Sequence, residues 1–476
     1  MDWFSILPQL ILAAGGFFIF CVGGFWRHRS PGFLFGMALI SILTAGAVAL
    51  LTGPGEPQLA GMFEASGYGR FFTFLTLAIT GMTLLFSYPY AKNRGFAGDE
   101  FFGLILFAAL GMTLVASALH WLTFFLGLEI LSISLYVLIA IRKDDPRSNE
   151  AGIKYFVMGV VASAFLIFGI AMIYAATGKL DIAQSLSVNI PGANTPVVLL
   201  GMSLILVGIG FKISLVPFHL WTPDVYQGAP TPVTAFLTAG SKVALFAALL
   251  RFASTSGDVA WSYLTPIFWV LSALTMVAGN IAALTQTRIK RLLAYSSIAQ
   301  MGYLLMTLLA VKQTGASAVM FYLTVYALMD LGAFGALAIF SERRDDLDTI
   351  EDYRSFGYSH PWQSALLVIC LFSLAGLPPT AGFIGKFALF QATLQADFIV
   401  LAVIGIFTIV LSIYFYLKVI VYLYMRPEER KVIISDTAFS DRIAGGLIFI
   451  TILWLGVMPS PLFSVISRTL PLVLQP

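Results

Sequence analysis

The sequence predicts an all-α polytopic membrane protein of about fourteen transmembrane helices, arranged as two inverted five-helix repeats with broken helices 7 and 12. Three observations carry that prediction. Hydrophobic residues make up 59% of the chain and charged residues 11%, whereas soluble domains carry about 25% charge. Apolar windows of about 20 residues, the length that crosses a bilayer, follow one another along the chain. Two of those windows are interrupted by glycine and proline at membrane depth, and the interruptions lie five spans apart.

The first span, 4–25, opens with Asp2 where a cleaved signal would carry basic residues, and it stops at Arg27-His28-Arg29. It is expected to be retained. Spans 32–52 and 70–90 complete an N-terminal three-helix segment, 1–96. Spans 99–119, 121–141, 151–177, 196–219 and 229–250 form the first five-helix repeat, 97–252. Spans 261–285, 292–311, 315–340, 361–391 and 397–424 form the second, 253–425, and the last segment, 426–476, holds helix 14 at 443–467. Helix 7 is interrupted between Gly208 and Pro217, helix 12 between Ser373 and Gly382. Proline removes a backbone donor and clashes with the preceding turn. Broken backbone in a membrane persists only where protein or a hydrated cavity satisfies it. A repeat with an odd number of spans re-enters upside down, so the two halves are expected to be inverted copies; two unrelated proline kinks are the plainer alternative.

Lysine and arginine placement predicts the orientation. One set of alternating loops holds Arg27, Arg29, Lys92, Arg94, Arg142, Lys143, Arg147, Arg288, Lys290, Arg291, Arg343, Arg344, Arg354, Arg426, Arg430, Lys431 and Arg442. The other holds Arg70, Lys179, Arg251, Lys312 and Arg468. The positive-inside rule places the first set in the cytoplasm, or its organellar equivalent, and both termini on the periplasmic side of an inner membrane. The basic residues form no stripe, so nucleic acid is excluded as a partner. Cys21 and Cys370 lie far apart in apolar segments and read as small buried hydrophobes. With two cysteines the chain holds no iron–sulfur cluster of its own, four scattered histidines give no metal spacing, and no nucleotide-binding glycine motif is present.

The informative residues are the charges inside the spans. Lys212, Lys242, Lys386 and Glu129 each interrupt an apolar run, at a cost of at least roughly 2.5–3.5 kcal/mol apiece at the bilayer centre. Repeated in several spans, they mark a polar route for ions or protons. A buried lysine loses part of its proton affinity and Glu129 can be switched by a nearby ammonium, so both residue types suit proton exchange. A fixed helix-bracing ion pair is the structural alternative for Glu129. Snorkelling suits Lys154 and Lys418, at helix ends, better than Lys212 or Lys242. For Asp330, in helix 11, counter-ion and relay member are both open. His219 ends the broken helix 7, as a hydrogen-bonded structural histidine or a proton-entry group. His120, at the opposite face, is the weaker candidate.

The stretch from Phe211 to Val233, FKISLVPFHLWTPDVYQGAPTPV, resembles the signature of the antiporter-like subunits of respiratory complex I. So do Gly127-Leu128-Glu129, the run from Arg288 to Tyr303, and Ser373 to Pro379 continuing to Gly385-Lys386-Phe387. The resemblance spans helices 4 to 13. Lys386, the helix-6 opening from Glu150 to Phe156, and the end at Pro476 with no room for a long lateral helix, are similar to the branch of that family called subunit N, or chain 2. The resemblance implies a proton channel through Glu129, Lys212, Lys242 and Lys386. It also implies no cofactor in this chain, with NAD, FMN, iron–sulfur clusters and quinone in partner subunits. Homologous antiporter-like membrane subunits and the lipid bilayer are the implied neighbours. Asp330 departs from the pattern, which implies an uncharged residue there. A subunit of a multisubunit cation/proton antiporter and a membrane scaffold whose charges only brace helices are the competing readings.

Overall fold

Runs of apolar residues that cannot leave backbone groups unpaired in hydrocarbon fold as helices, and nothing in the chain competes with that outcome. The computed structural model describes residues 6–26, 30–51, 61–64, 66–186, 195–341, 347–425 and 437–470. Asp2 and the loop charges Arg27, His28, Arg29, Arg343, Arg344, Arg426, Arg430 and Lys431 lie outside them. Among the described residues there is no strand, only three isolated bridges between loops.

Six uninterrupted helices come first: α1 (Leu7–Phe25), α2 (Pro31–Leu51), α3 (Gly67–Asn93), α4 (Asp99–Ala116), α5 (Trp121–Ile139) and α6 (Pro146–Thr177). Then follow α7 (Thr195–Lys212), α8 (Thr231–Thr255), α9 (Asp258–Leu284), α10 (Ile289–Leu308) and α11 (Ala316–Phe340). Helix 12 is split into α12a (Pro361–Ala375) and α12b (Ala381–Gln395); α13 (Ile399–Met425) and α14 (Phe439–Val457) complete the set. Twelve of these are long and apolar enough to cross a membrane uninterrupted. The other two expected spans are α10, whose polar residues dilute its hydropathy, and the split α12.

Two helix ends and one helical turn depart from the sequence reading. Helix 7 ends at Lys212, earlier than expected, and a tight turn leads to a short helix, Thr222–Gly228, before α8. Helix 14 stops at Val457, where Met458-Pro459 breaks it. A separate amphipathic helix, α15 (Ser460–Thr469), folds back onto α3 and α11, with Phe463 stacked on Phe321 at 4.3 Å. In α8, the turn Leu237–Ser241 is a π-helix immediately before Lys242; such bulges re-aim side chains and recur at functional sites.

The same neighbours pack in both halves. α4 lies along α5 as α9 lies along α10, and α6 lies along α7 as α11 lies along α12a. α8, α10 and α11 are enclosed by other helices, whereas α1 and α2 present Phe17, Phe18, Ile40 and Leu43 outward. The enclosed helices are those that carry Lys242, Ser297, Gln300 and Asp330.

Candidate functional site

Glu129 on α5 is half-buried, and its Oε1 accepts a hydrogen bond from Ser163 on α6 at 2.6 Å. One turn further along α5, Ser132 accepts from the Lys212 ammonium at 2.7 Å and Tyr136 accepts from it at 3.1 Å. The same ammonium lies 5.3 Å from the Tyr136 ring centroid and 5.7 Å from that of Tyr155, close enough for cation–π attraction. Lys212, at the end of α7, therefore meets α5 one turn from Glu129 without touching that carboxylate. Hydroxyls and rings solvate the lysine, and no direct ion pair joins the two among the described residues.

An aromatic bridge leads on from Lys212. Tyr155 packs on Trp221 at 4.6 Å, Trp221 lies 6.3 Å from Tyr226, and the Lys242 ammonium sits 5.6 Å over the Tyr226 ring. Trp221 is held in place by donating Nε1–H to the Phe211 carbonyl at 2.9 Å. Lys242 in turn donates to Ser297 on α10. Ser297 is 2.6 Å from the Tyr326 hydroxyl and 3.1 Å from that of Thr238, which donates to Asp330 at 2.6 Å. Asp330 thus belongs to the Lys242 environment through hydroxyls, not through an ion pair.

The same helix α10 reaches the third lysine. Gln300, one turn beyond Ser297, accepts from Tyr322 at 2.5 Å and donates to the Leu374 carbonyl at 3.3 Å. The Lys386 ammonium donates to that same carbonyl at 2.6 Å, and to Ala375 at 3.4 Å. Leu374 and Ala375 end α12a, where helix carbonyls lack amide partners and the helix dipole is negative. Lys386 therefore folds back across the break to close the end of α12a. Its ammonium also lies 5.4 Å from the Tyr303 ring.

His219 stands apart. It occupies the half-buried turn after α7, and no hydrogen bond joins it to Lys212. His120 caps α5, accepting from the Leu122 amide at 3.3 Å. Lys154 pairs with Glu150 at 2.6 Å and Asp224 at 3.0 Å, and Lys418 donates to the Gln286 carbonyl at 3.2 Å, both at helix ends. Several participants were missed in the sequence: Ser132, Tyr136, Ser163, Thr238, Ser297, Gln300 and Tyr326. Serine, threonine and tyrosine are ordinary in membrane helices; only the low hydropathy of α10 could have drawn attention to them. A buried pair of Arg251 with Glu64, with Arg251 4.8 Å from the Tyr68 ring, was likewise hidden, since Arg251 reads from sequence as a loop residue.

Residues 118–412 match the NADH:quinone oxidoreductase/Mrp antiporter transmembrane family. The chain belongs to that family. It is 45% identical to the NADH-quinone oxidoreductase subunit N 1 of Solidesulfovibrio magneticus, covering 97% of each chain. A chain of the respiratory complex I from Thermus thermophilus superposes with a TM-score of 0.83 at 35% identity, covering 97% of this chain and 100% of that one. A chain of the Mrp complex from Dietzia shares the fold, with a TM-score of 0.85 at 19% identity over 98% and 97% of the two chains. All three buried lysines and Asp330 fall inside the family's matched region.

Proposed function

We propose that this chain is a proton-translocating membrane-arm subunit of an NADH–quinone oxidoreductase, in which Glu129, Lys212, Lys242 and Lys386 relay protons. NADH oxidation and quinone reduction belong to partner subunits, which hold the NAD, FMN, iron–sulfur and quinone sites. Homologous antiporter-like subunits are the neighbours in the membrane. The units of the machine are the first repeat, 97–252, and its inverted counterpart, 253–425, flanked by 1–96 and 426–476. The chain lies in an inner membrane with its termini on the periplasmic side and Asp224, Arg291 and Lys154 toward the cytoplasm. His219, in the turn that follows α7, is the candidate for the cytoplasmic mouth.

One observation carries this reading. Each of the three lysines is buried, and each ammonium is held by hydroxyl or carbonyl oxygens with no direct carboxylate partner among the described residues. An ammonium locked to a carboxylate keeps its proton, whereas one solvated by neutral oxygens releases it when a nearby charge changes. For Lys212 that charge is Glu129, one turn of α5 from the Ser132 hydroxyl that holds the ammonium. The scaffold reading needs the opposite arrangement, lysines closed onto carboxylates. The fold is shared with the Mrp chain and does not choose between the two complexes; the 45% identity over nearly the full length favours the oxidoreductase.

The test compares two lysines of different environment. Lys242→Ala is expected to abolish most NADH-driven proton pumping in reconstituted vesicles, and Lys418→Ala to retain most of it, because Lys418 reaches a helix end and keeps its charge at little cost. Equal losses at matched complex abundance would remove Lys242 from the relay.

A further inference from the structure

We propose that Asp330 and Lys242 are the two ends of a directed hydroxyl wire, Lys242–Ser297–Tyr326–Thr238–Asp330, that shuttles one proton between ammonium and carboxylate at the centre of the subunit. The proposal rests on Lys242 acting as the central relay group. It assigns Asp330 the role of a second proton store, a carboxylate that the family pattern does not lead one to expect.

The direction of the wire follows from counting hydrogens. Thr238 donates its single hydroxyl hydrogen to Asp330 Oδ2 at 2.6 Å. In the contact between Thr238 and Tyr326, at 2.9 Å, the tyrosine must then be the donor. That uses the only hydrogen of Tyr326, so in its 2.6 Å contact with Ser297 the serine is the donor. Ser297 in turn accepts from the Lys242 ammonium. Every hydroxyl in the series accepts from the lysine side and donates toward the aspartate. The five residues come from three helices, and all are buried, with exposures of 1% or less. Water therefore does not compete for these bonds at the protein surface.

A concerted shift moves four protons by one link each. The ammonium gives a proton to Ser297 Oγ, Ser297 gives its own to the Tyr326 oxygen, Tyr326 to Thr238 Oγ1, and Thr238 to Asp330 Oδ2. One N–H and three O–H bonds break and four O–H bonds form. An amine and a carboxylic acid replace an ammonium and a carboxylate, and the net charge of the cluster is unchanged. The shift neutralises two buried charges together, which a low-dielectric interior favours. With its proton on Asp330, Lys242 is a neutral amine able to accept the next. The 3.1 Å contact between Ser297 and Thr238 is a bypass around Tyr326; Thr238 makes the 2.6 Å contact with Asp330, and Tyr326 is a second hydroxyl beside the same carboxylate.

The experiment uses the whole purified complex, assembled to equal abundance. NADH-induced infrared difference spectra are recorded in the carboxylic-acid C=O region, together with proton pumping in vesicles. The expected result is a carboxylic-acid band during turnover that disappears in Asp330→Asn, is weakened in Thr238→Val, and persists in Thr238→Ser, which keeps the hydroxyl. Pumping is expected to fall on the order of a hundredfold in Asp330→Asn, the scale of losing a positioned proton donor, and by less in Thr238→Val, where Tyr326 stays beside the carboxylate. It should stay near normal in Thr238→Ser and be only partly reduced in Tyr326→Phe, where the bypass remains. If Thr238→Val does not assemble, Ser297→Ala breaks the wire at the lysine end instead. Absence of any band assignable to Asp330, or normal pumping with the wire broken while Lys242→Ala is impaired, would overturn the inference alone. Normal pumping in Lys242→Ala would overturn the central-relay reading and this inference with it.

Discussion

The proposed relay role of the Lys386 ammonium and its structural role can be separated by a single substitution. The ammonium closes the carbonyl end of α12a at Leu374 and Ala375, a structural task any cation with N–H donors can perform. A relay also requires it to lose the proton. Arginine, with a pKa above about 12, keeps its charge at any working pH, whereas a buried lysine shifts readily. Lys386→Arg is therefore expected to support assembly better than Lys386→Ala while losing most of the pumping. The ratio of protons moved to quinone reduced, at matched abundance, checks it. Near-normal pumping in Lys386→Arg would make Lys386 a fixed helix cap.

At the scale of the element, the break between α12a and α12b depends on two glycines. Gly376 adopts φ 82° at the end of α12a, the left-handed conformation that costs least without a Cβ. A Cβ there would also come within 2.9 Å of the Lys386 stem. Gly382, in the first turn of α12b, faces the Ser373 backbone so closely that a Cβ would land on its carbonyl oxygen. The Ser373 hydroxyl accepts from the Gly382 amide at 2.9 Å, so the half-helices are tied where they cross. Gly382→Ala should push them apart, at a cost of about 1–3 kcal/mol, the usual range for overpacking. The measurement is complex abundance and thermal inactivation. Unchanged values would mean the junction yields without loss.

Across the whole molecule, Asp224 joins three helices. It accepts from Arg291 of α10 at 2.5 Å and from Lys154 of α6 at 3.0 Å, while sitting on the short helix that follows the α7 break. Burial pushes its carboxyl up, but the hydrogen bonds from Arg291 and Lys154 outweigh that and hold it below its ordinary value of 3.8. A carboxyl whose pKa is lower folded than unfolded stabilises the fold above its ordinary value, and that contribution is lost as pH falls through the folded value. The side chain is 38% exposed, so solvent screening keeps the contribution within about 1 kcal/mol. Asp224→Asn should lower the thermal midpoint slightly at neutral pH and flatten its fall below about pH 4. Superposable midpoint-versus-pH curves for the two proteins would remove Asp224 as a clamp.

The sequence by itself determined that this chain crosses a membrane many times, breaks two of its helices, and places lysines where hydrocarbon penalises them. Composition and the cost of buried charge act at each residue, so they can be read in any order of neighbours. The placing of Glu129, Lys212, Lys242 and Lys386 inside spans needed no more than that. Only the tertiary structure decided what those lysines touch. Ser132 and Lys212 are 80 residues apart in the chain, and Thr238 and Asp330 are 92 apart. Hydroxyls carry no charge and cost little in a membrane helix, so sequence has no penalty by which to flag them. The π-helical turn before Lys242, the early end of α7 and the fold-back of Lys386 onto α12a likewise depend on which helices surround them. Single hydrogen bonds across helix interfaces choose partners, and partners are chosen by packing.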